Sequence, residues 1–245
     1  VAIISALYSF LALNLARLGF RNYDERIINY NEDSKVNYQV HLKSNDFFQD
    51  EFLPENMSYV TSLIDYIKLN FDYNLNFDKE LSGTYSYYIK ATMDANKENS
   101  DSKFYTKDYI LSDVKTEKFD DKKKINIKES IDVDYDTYND VLIAFRDEYG
   151  VQMDGNLDVS LVVESTFNDK VSGEDAGKKS ETSLNIPLTT LTVEVPIEKD
   201  NKVNSGILLS TKITKEGFIY NVFRVLAIIC YIAAFTFLLY FIYLT

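Results

Sequence analysis

Apolar and polar residues alternate along much of the middle of the chain. In the longest example, residues 67–78, six apolar side chains point one way and six polar side chains point the other. Such alternation is typical of a strand with one buried and one solvated face. The same pattern predicts strands at residues 36–43, 85–93, 125–135, 157–167 and 193–197, with weaker candidates at 104–111, 184–188 and 207–213.

Turn residues and polar stretches separate these predicted strands. The Ser82-Gly83 pair predicts a turn that joins residues 67–78 and 85–93 as an antiparallel hairpin. Residues 94–103 and 168–182 are polar and predict loops within one domain. No linker rich in Pro, Gly or Ser divides the middle of the chain, so we expect one core there.

One segment, residues 137–149, follows the period of a helix instead. Its apolar side chains recur at intervals of three and four and form one stripe of an amphipathic helix: Tyr138, Val141, Leu142, Phe145 and Tyr149. Asp136 or Thr137 can cap its start, and Gly150 stands where a left-handed residue commonly ends a helix. Residues 58–67 are ambiguous between a helical turn and a strand.

The predicted elements give a mainly β fold class. Eight or nine strands with one buried face each, joined by short connections, favour an antiparallel β-sandwich that carries one amphipathic helix. A parallel α/β fold is disfavoured because helices do not alternate with the strands.

The two ends of the chain are long apolar runs. Residues 225–244 contain no charge, and these twenty residues cover about 30 Å as a helix, the thickness of a bilayer's hydrocarbon core. Residues 1–16 are also uncharged and end at Arg17, but they cover only about 24 Å. We therefore expect two flanking transmembrane α-helices, residues 1–16 and 218–245, that contact the lipid bilayer around one domain, residues 17–217.

The first apolar run has two interpretations. We expect an uncleaved signal anchor, and a cleaved signal peptide is the competing interpretation because its apolar region has a similar length. The run has no initiator Met and no basic residues before it. We therefore expect the natural sequence to begin earlier.

Charge and cysteine content predict the side of the membrane on which the domain lies. Residues 17–217 contain all 38 acidic and 25 of the 26 basic residues, so their net charge is −13. An acidic domain is favoured away from the anionic cytoplasmic leaflet. The only cysteine, Cys230, lies inside the second apolar run, so the domain has no thiol, as suits an oxidising exterior. We expect a two-pass protein of the cell membrane with residues 17–217 extracellular.

The composition offers little material for catalysis. The 245 residues include 19 Tyr and 16 Phe but only one His and one Cys, which is too little for a zinc site, a Cys–His dyad or a Ser–His–Asp triad. A net charge of −12 disfavours nucleic acid as a partner, because phosphate binding needs a basic surface. We expect that the protein is not an enzyme, and we predict no catalytic residue, no cofactor and no metal site.

A short acidic pattern resembles the start of a calcium-binding loop without completing it. Asp132, Asp134 and Asp136 have the spacing of the first three ligands. The pattern then fails, because Thr137 stands where the loop needs Gly and Ile143 stands where it needs a bidentate Glu. We interpret the three aspartates as the solvated side of a strand.

The remaining polar candidates are also better explained as surface residues. His41 lies on the polar side of a predicted strand, without a second His or Cys in the domain that could join it. Glu174 and Asp175 lie in an acidic stretch that could hold at most a weakly bound divalent ion. The many tyrosines occupy alternate positions, so we expect them in the core rather than on a carbohydrate-binding platform.

Four stretches carry a resemblance to a protein family: VNYQVHLKSNDFF, LPENMSYVTSLIDYIKLNFDYNLNF, YSYYIKATM and IDVDYDTYNDVLIAF. With an apolar run before and after them, they resemble an uncharacterised family of bacterial and archaeal membrane-anchored proteins, defined only as a domain of unknown function. The resemblance implies a transmembrane helix at each end and an extracellular β-rich domain. Genes for such proteins often lie near those of signal-peptidase-like and surface proteins, which implies surface assembly. The resemblance assigns no functional residue.

These observations favour two functions. The first is a non-catalytic, membrane-anchored extracellular module that mediates protein–protein contacts at the cell surface, with a membrane or surface protein as its partner. The alternative is an envelope sensor or transporter accessory subunit that binds a small ligand or ion.

The predicted topology can be tested with a protease. When protease is added to intact cells, we expect cleavage within residues 96–103, because this polar stretch is predicted to be an exposed loop on the outside. Immunoblotting of the fragments provides the measurement. Protection of the stretch until the membrane is opened would place the domain inside.

Overall fold

The structure, a computed structural model, describes residues 2–18, 22–97, 103–189, 191–195, 202–215 and 218–244. In chain order its elements are α1 (Ala2–Leu18), β1 (Asn22–Leu42), β2 (Phe52–Leu53), β3 (Ser58–Val60), a 3-10 turn (Thr61–Leu63), β4 (Ile64–Lys97), β5 (Lys103–Ile110), β6 (Lys115–Asp134), α2 (Tyr135–Tyr149), β7 (Met153–Asp169), β8 (Glu174–Leu188), β9 (Thr192–Glu194), β10 (Lys202–Lys215) and α3 (Phe218–Leu244).

The fold is mainly β and its strands pair antiparallel, as the alternation of apolar and polar residues predicts. The large sheet has the order β10-β1-β4-β7-β8, with β2 added to β1 and with β5 and β6 added to β4. A small second sheet consists of β3 and β9. The ambiguous residues 58–67 contain a strand, a 3-10 turn and the start of β4, so both interpretations apply to part of them.

The hairpin predicted at Ser82-Gly83 is wrong, because β4 runs unbroken through this pair. Gly83 is present for a different reason, the close approach of a neighbouring strand. A Cβ atom at Gly83 would lie 2.0 Å from the carbonyl oxygen of Thr166 and 3.2 Å from the ring of Phe119. The absence of a side chain therefore lets β7 approach β4 at this point.

The core lies along the odd-numbered side of β4. Its apolar residues from Ile67 to Phe77 are at most 6% exposed, which confirms the phase predicted for this strand. The same phase continues after Gly83, where Ile89 and Met93 are each 2% exposed or less. Apolar residues of β1, β6, β7 and β8 belong to the same cluster of buried side chains.

The loop predicted at residues 168–182 is wrong for most of its length. Strand β7 continues to Asp169, β8 begins at Glu174, and only a tight turn separates them. The Asp169 carboxylate accepts hydrogen bonds from the backbone N–H groups of Val171 and Ser172, and Gly173 adopts a φ of 74°. These two features close the turn, so the polar residues that follow it belong to a strand.

Residues 94–103 also differ from the predicted loop. Strand β4 continues through Lys97, so the stretch begins as a strand. Residues 98–102 lie outside the described part of the chain.

Helix α2 forms at the predicted position but begins two residues earlier. Asp134 is the N-cap, and its side chain accepts the backbone N–H of Thr137, so the cap is neither of the two predicted residues. Gly150 adopts the left-handed conformation with a φ of 63°, as predicted. The apolar stripe is confirmed at its centre, where Leu142 is buried, whereas Tyr149 is 61% exposed.

The described chain divides into two compact units, and strands β1 and β10 run through both. One unit is Ile28–Leu209, which contains α2 and most of the strands. The other combines the residues up to Ile27 with those from Ser210 onward, and it contains α1 and α3. Within this second unit α1 packs along α3, and the rings of Tyr8 and Phe237 stack with centroids 5.9 Å apart.

Among the described helices, only α3 is long and apolar enough to cross a membrane. Its stretch Asn221–Tyr243 has 23 residues and includes 18 consecutive residues with a mean hydropathy of 2.6, of which only 11% are buried. The apolar stretch of α1, Ala6–Leu15, covers about 15 Å as a helix, half of the hydrocarbon core. The two predicted flanking spans are therefore reduced to one candidate, and a two-pass topology is not supported.

Substitution of Gly83 tests the close approach of β4 and β7. We expect Gly83→Ala to lower the free energy of unfolding by about 1–3 kcal/mol, because the new Cβ would overlap the Thr166 carbonyl. Gly177→Ala is the matched control, since the nearest atom to its Cβ would be 3.8 Å away. We expect the control to change stability by no more than about 0.5 kcal/mol. Urea unfolding of the full-length protein in detergent measures both, and equal effects would contradict the proposed role of Gly83.

Candidate functional site

Polar residues cover one face of the sheet where β1, β4 and β6 lie side by side. The central strand β4 contributes its even-numbered residues, and the residues paired with them in β1 and β6 share their face. One row across the three strands is Asn37, Asn70 and Ser130. The members of this row are exposed in β1 and β6 and half-buried in β4, so the face is open to solvent.

A shallow cleft opens on this face beside the end of β1. Its lining residues are Asn37, Gln39 and Asn70 on the sheet and Phe52, Pro54 and Glu55 on the segment that contains β2, with Tyr38 between them. We call this group the amide cleft. In the described part of the chain, the side chains of Asn37, Gln39 and Asn70 have no hydrogen-bond partner, so their donors and acceptors are free to bind a ligand.

Two buried tyrosines fix the backbone of the segment beside the cleft. The Tyr59 hydroxyl donates to the Pro54 carbonyl oxygen at 2.6 Å. The Tyr38 hydroxyl accepts from the Asn56 backbone N–H at 2.9 Å and donates to the Val195 carbonyl oxygen at 3.1 Å. Both tyrosines are 1% exposed, so the core holds this wall of the cleft in place.

Three rings form an aromatic row at one end of the polar face. His41 stacks on Tyr66 with ring centroids 4.3 Å apart and an interplanar angle of 10°, and the Phe52 ring lies 5.8 Å away on its other side. His41 therefore lies on the polar face, as predicted, but its ring is partly covered. Its Nε2 atom is buried and has no hydrogen-bond partner among the described residues.

A charged pair is buried on the other side of the sheet, in the core. Lys178 Nζ of β8 lies 2.9 Å from Glu32 Oε2 of β1, and the two side chains are 14% and 5% exposed. The Tyr30 ring lies 4.3 Å from Lys178 Nζ, and the Tyr73 hydroxyl donates to Ser180 Oγ at 3.2 Å. We call these five residues the buried ion-pair cluster.

The surroundings of Glu32 keep its carboxylate charged. Burial by itself would raise the pKa of Glu32, but hydrogen bonds from Ser180 and Lys178, together with the positive charge of Lys178, outweigh it and hold that pKa below its ordinary value. Burial, assisted by the charge of Glu32, raises the pKa of Tyr73, so its hydroxyl stays neutral. The cluster is thus a satisfied charge pair and has the features of a structural group rather than of a nucleophile with its base.

The acidic residues considered in the sequence do not converge on one point. Helix α2 begins within the calcium-like pattern, so Asp134 becomes its N-cap while Asp136 forms an ion pair with Lys43 at 2.6 Å. Asp175 accepts a hydrogen bond from Asn168 at 2.8 Å. The described ranges contain no group of three or more His, Cys, Asp or Glu side chains that could hold a metal ion.

The connection between β1 and β2 exposes two phenylalanines in a defined turn. Phe47 is 86% exposed and Phe48 is 40% exposed. Asn45 Oδ1 accepts the backbone N–H of Phe47 at 3.0 Å and that of Phe48 at 2.8 Å, and its Nδ2 donates to the Lys43 carbonyl oxygen. We call residues 43–48 the Phe47 turn. Its hydrogen bonds hold the backbone of the turn. The Phe47 ring lies in solvent, where it can contact another protein.

Comparison with known proteins adds no assignment to these residues. Neither family models nor curated proteins match the chain.

Removal of Lys178 tests the buried ion-pair cluster. We expect Lys178→Met to lower the free energy of unfolding by about 3–5 kcal/mol, because it leaves the Glu32 carboxylate buried without its counter-ion. Lys179→Met is the matched control: Lys179 pairs with Glu164 at 2.7 Å with both side chains at least half exposed, and such pairs contribute about 0–1 kcal/mol. Denaturant unfolding measures both variants.

The same cluster predicts a pH dependence. Because the pKa of Glu32 is lower in the folded protein than in the unfolded chain, its stabilisation is complete above the unfolded pKa and is lost as the pH falls through the folded pKa. The stability difference between the wild type and Glu32→Gln should therefore shrink from about pH 7 to about pH 3. A difference that stays constant with pH, or a Lys178→Met variant as stable as the control, would contradict this account.

Proposed function

We propose that the chain is a membrane-anchored, non-catalytic module whose extracellular β domain makes protein–protein contacts at the cell surface. One observation carries the proposal: α3 presents a long apolar surface to its surroundings, whereas residues 17–217 carry a net charge of −13. Within Asn221–Tyr243 most side chains are exposed, and a bilayer would cover them.

The contribution of α1 to anchoring is part of the proposal. Tyr8 stacks on Phe237, and Ala12, Ala227 and Ala234 are buried, whereas most of the described side chains of the two helices are exposed. Small residues at such positions let helix backbones approach closely in a membrane. We propose that α1 enters the bilayer beside α3 and that residues 17–217 lie outside, where their charge of −13 is more favourable than at an anionic leaflet.

The β domain is proposed to be a sandwich formed by folding of the large sheet onto itself. Hydrogen bonding of Tyr73 to Ser180 joins β4 to β8, and the Glu32–Lys178 pair joins β1 to β8. Strand β8 is separated from β1 and β4 by other strands in the sheet order, so these contacts across the core support two facing layers. The layout is consistent with the proposed membership in the uncharacterised membrane-anchored family.

The Phe47 turn is the proposed contact with the partner protein. Phe47 is 86% exposed, and the backbone of its turn is held by three local hydrogen bonds, so the turn needs little ordering on binding, which favours Phe47 as an anchor residue. A second candidate function is an envelope sensor or transporter accessory subunit. The amide cleft favours it, because the polar side chains that line the cleft can bind a small ligand.

Charged substitutions in α3 test the anchor. We expect Ile229→Arg with Ile232→Arg to move the full-length protein from the membrane pellet to the soluble or degraded fraction, because each charge at the centre of a span costs about 2.5–3.5 kcal/mol on insertion. Ile110→Arg with Val171→Arg is the control, since both side chains are more than 60% exposed in the β domain. Fractionation and immunoblotting give the distribution. If the α3 variant stayed in the membrane like the control, the anchor would be assigned wrongly.

Co-purification tests the protein contact. The full-length protein, tagged and extracted in mild detergent, should carry at least one membrane or surface protein with it, and Phe47→Ser should reduce the recovery of that protein several-fold. Val171→Ser changes an equally apolar residue, 61% exposed in another turn, and should leave the recovery unchanged. Quantitative mass spectrometry measures the ratio. Equal recovery by both variants would contradict a role for the Phe47 turn.

A further inference from the structure

We infer that the amide cleft binds a neutral saccharide chain. This inference is independent of the protein contacts proposed for the Phe47 turn, because it depends on different side chains. Asn37, Gln39 and Asn70 line one cleft on an open face, and Asn37 and Asn70 are register partners there. Each carboxamide offers an acceptor oxygen and two N–H donors, and adjacent sugar hydroxyls likewise donate and accept. No described side chain uses these groups, so a ligand would not have to displace an internal partner.

Apolar side chains adjoin the amides, as recognition of a sugar ring requires. Phe52 is 44% exposed, belongs to the cleft and lies beside the stacked pair of His41 and Tyr66. The C–H groups on one side of a sugar ring form an apolar surface that can cover such rings, while its hydroxyls point toward the amides. Ligand sites of this kind combine an apolar wall with a few placed polar groups.

The charges around the cleft favour a neutral ligand. Glu55 belongs to its lining, and its carboxylate is held there by the Tyr38 backbone N–H at 2.9 Å. Lys68 and Asp132, which are register partners next to the cleft, carry opposite charges. Because the whole chain also carries a charge of −12, a polyanion such as nucleic acid or an acidic polymer would be repelled.

The geometry favours a saccharide over an extended peptide. A peptide that adds to a sheet needs a free strand edge whose backbone groups can pair with it. At the cleft both edges of β1 are occupied: β4 pairs with one, while Leu53 pairs with Val40 and Glu55 accepts from Tyr38 on the other. The cleft therefore offers side-chain amides and rings rather than a backbone edge.

Binding can be measured with the purified full-length protein in detergent micelles. The probes are cellohexaose, the hexasaccharide of β-1,4-linked N-acetylglucosamine, and a printed array of neutral oligosaccharides. We expect at least one neutral saccharide to bind, and we expect Asn70→Ala to weaken it at least tenfold, about 1.4 kcal/mol. Asn76→Ala is the matched control, because Asn76 lies on the same face of β4 but outside the cleft.

The outcomes distinguish the proposal from its competitors. Gln39→Ala provides a second variant with the same expected loss, and circular dichroism with an unchanged Tm shows that each variant is folded. Binding that is equal in Asn70→Ala and Asn76→Ala, absence of binding to every neutral saccharide, or binding of acidic saccharides or of a peptide alone would each overturn the inference. Because neither variant alters Phe47, recovery of the protein partner should not change, which separates this result from failure of the proposed function.

Discussion

The backbone hydrogen bonding of one long strand, β4, determines how the β domain is arranged. One edge of β4 pairs first with β1 and then with β7, while the other pairs with β6 and then with β5. Each unpaired backbone group in a core would cost free energy, so a strand of 34 residues needs partners along its whole length. The polar face, the core and the close approach at Gly83 all follow from this pairing.

The alternation of apolar and polar side chains predicts some features of the fold and not others. It determines the buried phase of β4 and the position of α2, because burial selects residues at periods of two or 3.6 regardless of what packs against them. It does not determine where one strand ends and the next begins. Ser82-Gly83 has the composition of a turn, yet Gly83 is required by the Thr166 carbonyl of another strand, a contact that local sequence does not contain. The loop predicted at residues 168–182 is likewise wrong from Glu174 onward, because β8 is polar there and only its pairing with β7 makes it a strand.

The site could be predicted only in part, for a related reason. The phase of Asn37, Gln39 and Asn70 places them on the solvated side of their strands, and the sequence alone gives this much. Their convergence depends on the register that sets Asn37 opposite Asn70 and on the segment that β2 brings alongside. The sequence could have indicated the buried position of Glu32, because this residue lies in phase with the apolar positions of β1. Its partner on β8 is remote in sequence, and no local pattern identifies it.

Both proposed contact surfaces lie on one segment whose backbone is held by hydrogen bonds from polar side chains. The Phe47 turn and the wall of the amide cleft belong to one excursion of the chain between β1 and β3, which has little regular structure of its own. Tyr38 and Tyr59 bind its backbone from the core, and Asn45 closes its first turn. A segment held in this way can keep a phenylalanine exposed and an amide cleft open, because Asn45 holds the backbone of the turn and the two buried tyrosines hold the wall of the cleft. The core and the contact surfaces are therefore parts of one hydrogen-bonded arrangement.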